Sequence, residues 1–213
     1  ENTGKGLWPA VRLGLLLGLI SLIRPTNIII VIFLLLYGIV SRQDLKERAA
    51  GILKDYGLLL IMAITALVIW MPQMLYWKEM TGHWLWFSYG NDERFFFGDP
   101  AILKGLFSWR KGLFIYTPLM IISFAGIIAL WIRRSPHALA VTAFVPLNIY
   151  IIFSWWCWWY GGGFGQRAFI DSYALMAVPA AALLSMAMTA GRSFFRVAVV
   201  IVFLLFTAMG IFN

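Results

Sequence analysis

Gly57-Leu58-Leu59-Leu60-Ile61-Met62-Ala63-Ile64-Thr65-Ala66-Leu67-Val68-Ile69-Trp70-Met71-Pro72-Gln73-Met74-Leu75-Tyr76-Trp77 carries no charge from end to end. A helix rises about 1.5 Å per residue and the hydrocarbon core of a bilayer is about 30 Å thick, so roughly 20 such residues cross it. Further apolar runs fall at 7–23, 27–41, 113–132, 137–156, 172–190 and 195–213, each bounded by charges, Gly or Pro. The run at 27–41 is short for a span. The pattern predicts an all-α polytopic transmembrane helix bundle of about seven spans, with residues 1–213 as a single transmembrane domain carrying one long outer loop.

Composition points the same way. Of the 213 residues, 62% are hydrophobic and only 12% charged, with a mean hydropathy of +0.85. A soluble domain of this size carries about a quarter charged residues, so the surplus apolar surface calls for a lipid bilayer as its partner. The net charge of +8 does not make this a nucleic-acid-binding chain, because its basic residues sit between apolar runs as orienting loop charges do. Cys157 is the lone cysteine; it excludes an internal disulfide and a Cys-based zinc cluster, and reads as a small buried hydrophobe. His83 and His137 lack the spacing of a paired metal site, so no metal ligand is assigned. The chain opens Glu1-Asn2-Thr3 without an initiator Met and ends at Asn213 directly off an apolar run. It reads as part of a longer polypeptide.

Loop charges set the topology. Lys5, Arg42, Lys46, Arg48, Lys54, Arg133, Arg134, Arg192 and Arg196 fall on one side with Glu1, Asp44, Glu47 and Asp55, nine basic against four acidic residues. Arg24, Lys78, Arg94, Lys104, Arg110, Lys111 and Arg167 fall on the other with Glu79, Asp92, Glu93, Asp99 and Asp171, seven against five. The positive-inside rule places the first set in the cytoplasm. The inner connections are then 42–56, 133–136 and 191–194, and 42–56 reads as a polar helix at the interface or a solvated linker, with Asp44 and Arg48 at i,i+4. The outer connections are the Arg24–Asn27 turn and the loops 78–112 and 157–171.

The long outer loop mixes Trp84, Trp86, Phe87, Tyr89 and Phe95–Phe97 with His83, Asp92, Glu93 and three glycines, Gly82, Gly90 and Gly98. An aromatic belt at the membrane boundary accounts for the rings, but the carboxylates and glycines suit a binding site better. Its end, Trp109-Arg110-Lys111-Gly112-Leu113-Phe114-Ile115-Tyr116, offers two cations that either snorkel or clamp a phosphate, Arg in bidentate fashion and Lys as a point charge. The second loop runs Trp158-Trp159-Tyr160-Gly161-Gly162-Gly163-Phe164-Gly165-Gln166-Arg167-Ala168-Phe169-Ile170-Asp171. Indoles stack on sugar faces and cations, glycines let backbone groups point into a site, and Arg167 pairs with Asp171 if the segment is α-helical. A flexible glycine hairpin is the plainer reading. Arg24 precedes Pro25 at the end of a span, where a charge needs pairing or water, with Thr26 or Asn27 capping the next helix. The candidate substrate-binding residues are therefore Arg24, Tyr89, Arg110, Lys111, Tyr116, Trp159, Tyr160, Arg167 and Asp171.

Leu13 through Ile23-Arg24-Pro25-Thr26-Asn27 resembles the span ending in Arg-Pro-Thr of polytopic glycosyltransferases of the GT-C superfamily. Phe87-Ser88-Tyr89-Gly90, Leu106 through Pro118, and Trp159-Tyr160-Gly161-Gly162 through Asp171 resemble loops of its bacterial members. That superfamily includes protein mannosyltransferases and aminoarabinose transferases. The resemblance implies a membrane enzyme that takes a sugar from a polyprenyl-phosphate carrier and works at the outer, periplasmic face of the bacterial inner membrane. Family members carry a catalytic carboxylate in the first outer loop, whereas the Arg24–Asn27 turn has none. The chain thus resembles the middle and C-terminal portion of such an enzyme, with Asp92 or Glu93 as the available catalytic substitutes. A divalent metal in the full-length protein stays open. Two other classes fit the same residues. One is a non-catalytic membrane subunit that joins partner helices through Ala177, Ala180, Ala181, Ala182 and Ser185; the other is a transporter or lipid-ligating enzyme.

Overall fold

The structure is a computed structural model and describes residues 3–90, 92–189 and 193–212. Glu1, Asn2 and Asn213, which carry the expectation of cut ends, and Gly191 and Arg192, the first half of the 191–194 connection, lie outside the described residues. Among the described residues the regular structure is helical, and the only β feature is an isolated antiparallel bridge between Phe95 and Trp155. The chain forms two compact units, Glu1–Leu35 with Ser41–Gly90, and Leu36–Val40 with Asn91–Asn213.

The first unit is built on α1 (Thr3–Ile23) packed against α4 (Tyr56–Thr81). Its seam is a small residue at every fourth position of α1: Gly6, Ala10, Gly14 and Gly18. A Cβ at Gly14 would lie 2.5 Å from the Met62 carbonyl, and one at Gly18 would lie 2.9 Å from the Ala66 carbonyl. The two backbones meet because nothing stands between them, as in helix pairs that associate without a hydrophobic driving force. Ser21 extends the seam: its hydroxyl donates to the Gly18 carbonyl at 3.1 Å and accepts from the Trp70 indole N–H at 2.9 Å. Between them lie α2 (Ile30–Leu36) and α3 (Arg42–Lys54) in chain order. Ser41 and Asp44 start α3 with a reciprocal capping box. Gly82 ends α4 in the left-handed conformation, φ 79°, with its N–H on the Lys78 carbonyl, so the helix runs a full turn past Trp77.

The second unit contains α5 (Ile102–Phe107), α6 (Leu113–Tyr116), α7 (Leu119–Ile132), α8 (Ala138–Phe153), α9 (Tyr173–Thr189) and α10 (Ser193–Phe212). Its main contact is α7 on α9, closest where Gly126 faces the carbonyl of Pro179. Arg133 at the end of α7 donates to Ser185 and Thr189 of α9 at 2.9 and 3.3 Å. Ala180 is buried within the unit, so part of the small-residue stripe expected to meet partner helices is used inside the chain.

Among the described residues, three helices are long and apolar enough to cross a membrane, Gly6–Ile23, Tyr56–Thr81 and Arg167–Thr189. Four more apolar segments are helical but shorter, Pro25–Leu36, Leu119–Ile132, Ala138–Phe153 and Arg196–Gly210. Helix breakers explain part of the shortening. The 27–41 run starts as a 3-10 turn, Pro25–Ile29, and stops before Gly38, whose φ is 86°. Thr26 and Asn27 lie inside that turn, so neither caps α2 as expected. The 113–132 run breaks at Thr117-Pro118, because proline lacks an N–H and pushes the preceding residue out of the helical region; Thr117 has φ −136°.

Candidate functional site

The second unit brings the loop 157–171 together with the end of the long loop. Ser154 ends α8, and the segment from Arg94 to Ala101 runs along this corner. The Phe96 N–H donates to the Ser154 carbonyl at 2.6 Å, the Trp156 N–H to the Arg94 carbonyl at 3.0 Å, and the Ala101 N–H to the Phe153 carbonyl at 2.9 Å. Aromatic rings lock it: Phe95 meets Phe97 at 5.3 Å and Trp155 edge-on at 4.8 Å, and the Tyr150 hydroxyl donates to the Phe97 carbonyl. Gly105 fits because its missing side chain leaves room for the Phe153 ring.

From that anchor α5 leads to a tight turn, in which the Gly112 N–H reaches the Ser108 carbonyl at 2.6 Å and the Arg110 N–H reaches the Ser108 hydroxyl at 3.1 Å. Arg110 and Lys111 stand on this turn, and Leu113, 1% exposed, fixes its far end in the core. The opposing loop turns through left-handed residues, Tyr160 at φ 50°, Gly161 at 76° and Gly165 at 53°. Tyr160 is the costly one, since a side chain rarely adopts this conformation. Its hydroxyl donates to the Ile152 carbonyl at 2.8 Å and its N–H to the Cys157 carbonyl at 2.8 Å, contacts that hold it there.

The two turns meet. The Lys111 ammonium donates to the carbonyl of Gly161 at 2.6 Å and to that of Gly163. The Arg110 guanidinium lies over the Trp159 ring, 3.9 Å from its centroid. The Arg167 side chain follows the same glycines: its Cδ is 3.7 Å from where a Cβ on Gly163 would stand, and its terminal nitrogen is 3.9 Å from that of Gly161. Both distances are ordinary van der Waals contact, so a Cβ at either position would touch Arg167 without displacing it; it is the positive φ of Gly161 that favours glycine there. Tyr116 closes the edge, its ring at 5.3 Å from Phe164 and its hydroxyl on the Trp109 carbonyl at 2.9 Å.

Of the residues selected from sequence, Arg110, Lys111, Tyr116, Trp159, Tyr160 and Arg167 therefore share one small region. Arg110 and Arg167 are exposed and Lys111 is half-buried. An ammonium has three donors and Lys111 places it on two carbonyls, while a guanidinium stacked on an indole keeps its in-plane N–H groups available at its rim. The arrangement concentrates positive charge beside indole surface, the chemistry that binds an anion bearing an apolar or sugar face.

Asp171 departs from expectation. Arg167–Ser172 is a 3-10 helix, in which i and i+3 eclipse, so Arg167 shares its face with Ile170 and Asp171 is turned about a third of a revolution away. Asp92 is exposed and Glu93 half-buried, just ahead of the Arg94–Ala101 segment. Arg24 and Tyr89 belong to the first unit. Arg24 is half-buried, and its carbonyl accepts the Asn27 N–H at 2.9 Å; Tyr89 is exposed and its ring lies 5.4 Å from that of Phe87. The indoles split in the same way. Trp84 and Trp86 are exposed as belt residues would be, whereas Trp158 and Trp159 are half-buried and meet edge to face at 5.7 Å.

Sequence reasoning missed Gln166. It is 1% exposed, donates to the Trp158 carbonyl at 3.3 Å and leaves its side-chain oxygen without a hydrogen bond. Its signal was a long polar side chain between glycine and arginine in an otherwise apolar neighbourhood. The Asn148–Ser172 hydrogen bond, 3.0 Å, was missed too; it ties α8 to the segment that carries Arg167. Among the described residues no three His, Cys, Asp or Glu side chains are grouped to hold a metal ion. No family model, no curated protein and no solved structure matches the chain.

Proposed function

We propose that the chain is part of a polytopic bacterial inner-membrane glycosyltransferase that moves a sugar from a polyprenyl-phosphate donor to an acceptor at the outer face. The observation that carries this reading is the meeting of Arg110, Lys111 and Arg167 at the Gly161–Gly163 turn beside Trp159. Transfer forms a bond between an acceptor oxygen and the anomeric carbon and breaks the bond from that carbon to phosphate. Charge gathers on the departing phosphate, where preorganised cations stabilise it most. Arg110 and Arg167 supply that field, Lys111 holds the turn between them, and the indoles of Trp158 and Trp159 offer faces for the sugar. The acceptor proton goes to a carboxylate, for which the long loop offers Asp92 and Glu93. The shorter apolar helices join the three long ones as spans in this reading, giving about seven, with tilt and local thinning of the bilayer covering the deficit.

The test is retention of a polyprenyl phosphate by the purified chain in nanodiscs, followed by sugar transfer in membranes holding the complete reading frame. Arg167→Lys keeps the charge but loses the bidentate fork, and is expected to weaken retention by about tenfold, the effect of roughly one charged hydrogen bond. Equal retention by wild type, Arg167→Lys and Arg110→Ala sinks the phosphate site. Retention without transfer by the complete protein leaves a lipid-phosphate binder and removes the enzyme.

A further inference from the structure

The first unit carries an amphipathic helix that the proposed reaction does not use. At 100° per residue, α3 (Arg42–Lys54) gathers Leu45, Ala49, Ile52 and Leu53 within about a 100° arc, which a charged residue enters only at the helix's first position, Arg42. Leu45 is 48% and Leu53 77% exposed, so the stripe is not consumed by packing. Lys46 borders the arc on one side and Arg48 on the other, while Glu47 lies on the far face and hydrogen-bonds to Gln43 at 2.8 Å. The Asp44 carboxylate accepts the Ser41 N–H at 2.8 Å in the capping box, away from the stripe. A water-facing linker has no need of an apolar arc with cations at both edges and carboxylates behind it.

The neighbouring helix sets the depth. Only Asp55 separates α3 from α4, whose 26 residues span about 39 Å, more than the roughly 30 Å of hydrocarbon. The start of α4 therefore stands at a polar boundary, where exposed Tyr56 suits the headgroup level. From these relationships we infer that α3 lies in the plane of the membrane surface and docks its Leu45–Leu53 stripe into anionic lipid. Lys46 and Arg48 snorkel to the headgroup phosphates on either side. The surface recognised is a negatively charged leaflet, and the inference is independent of any sugar-transfer chemistry.

The full chain, with Cys157→Ser to clear the native thiol, is reconstituted in vesicles with and without anionic lipid. An environment-sensitive fluorophore is placed on Leu53→Cys or Glu47→Cys. On anionic vesicles a headgroup-level lipid quencher is expected to reach the Leu53 probe, and an aqueous quencher the Glu47 probe. Changing Lys46 and Arg48 to Gln is expected to lower the docked-to-undocked ratio by about fivefold per cation on anionic vesicles, with little change on zwitterionic ones. Equal aqueous quenching of both probes makes α3 a solvated linker and overturns the inference. So does a Leu53 probe shielded from both quenchers, which means protein covers the stripe, or docking indifferent to anionic lipid.

Discussion

The Arg110 guanidinium stands 3.9 Å from the centroid of the Trp159 ring, joining residues between which the sequence places α6, α7 and α8. The contact orients the cation without neutralising it, since the indole offers a quadrupole and no charge. A cation–π contact at an exposed site contributes about 0.5–1 kcal/mol. A double-mutant cycle of Arg110→Gln and Trp159→Leu, read as retention of polyprenyl phosphate in nanodiscs, is expected to give a coupling of that size. Strict additivity of the two substitutions removes the stack as an organising contact.

Lys111 has a different task. Its ammonium bridges the carbonyls of Gly161 and Gly163, so Lys111→Met leaves two carbonyls of a glycine turn without their donor. Hydrogen bonds to charged groups contribute about 1.5–3 kcal/mol, and local opening of the turn is expected to become easier by a comparable amount. Amide hydrogen exchange over 160–166 then accelerates by about tenfold or more, with exchange in α8 unchanged. Protection that stays at the wild-type level shows that the turn is held by Tyr160 and Gln166 alone.

Glycines of the first unit separate into two classes with opposite expectations. Gly14 and Gly18 face α4 backbone, while a Cβ at Gly57 meets nothing within 4 Å. Gly18→Leu forces α1 off α4 and is expected to cost about 1–3 kcal/mol, the usual range for overpacking. Gly57→Ala is expected to stabilise by about 0.5–1 kcal/mol, through helix propensity alone. Unfolding of the chain in detergent, followed by circular dichroism, measures both. Equal tolerance at Gly18 and Gly57 contradicts the close α1–α4 seam.

Much of this architecture was legible in the residues, for reasons that also explain the omissions. Apolar runs bounded by charge gave the helical segments because lipid leaves the backbone no other partner than itself. Their lengths were less legible: Thr117-Pro118 lies inside an apolar run that reads as continuous until the proline's steric demand on its neighbour is counted. The Gly6–Gly18 seam needed only the four-residue spacing of small side chains, which average hydrophobicity conceals. At the candidate site, residue types singled out Arg110, Lys111 and Arg167, but not how they are held. Lys111 on two carbonyls some 50 residues away is a tertiary contact that no local pattern encodes. Arg167 and Asp171 do not take the α-helical i,i+4 placement, because that logic assumes 3.6 residues per turn and the segment winds as a 3-10 helix.

Topology gives the last prediction, and it governs the meaning of the others. By the positive-inside rule, nine basic residues against seven predict a cytoplasmic α3 and an outer Gly161–Gly163 turn. Ser88, Lys46 and Gly162 are all exposed, and a Cβ at Gly162 meets nothing within 4 Å, so a cysteine fits at each. With Cys157→Ser as background, a membrane-impermeant thiol reagent added to intact cells is expected to modify Ser88→Cys and Gly162→Cys. Lys46→Cys is expected to react only after the membrane is opened. Labelling of Lys46→Cys alone inverts the chain and puts the cation cluster in the cytoplasm, where a donor presented at the outer face could not reach it. Labelling of Ser88→Cys without Gly162→Cys puts the two loops on opposite sides, which requires an odd number of crossings between them and removes one of the shorter helices 119–132 and 138–153 from the membrane.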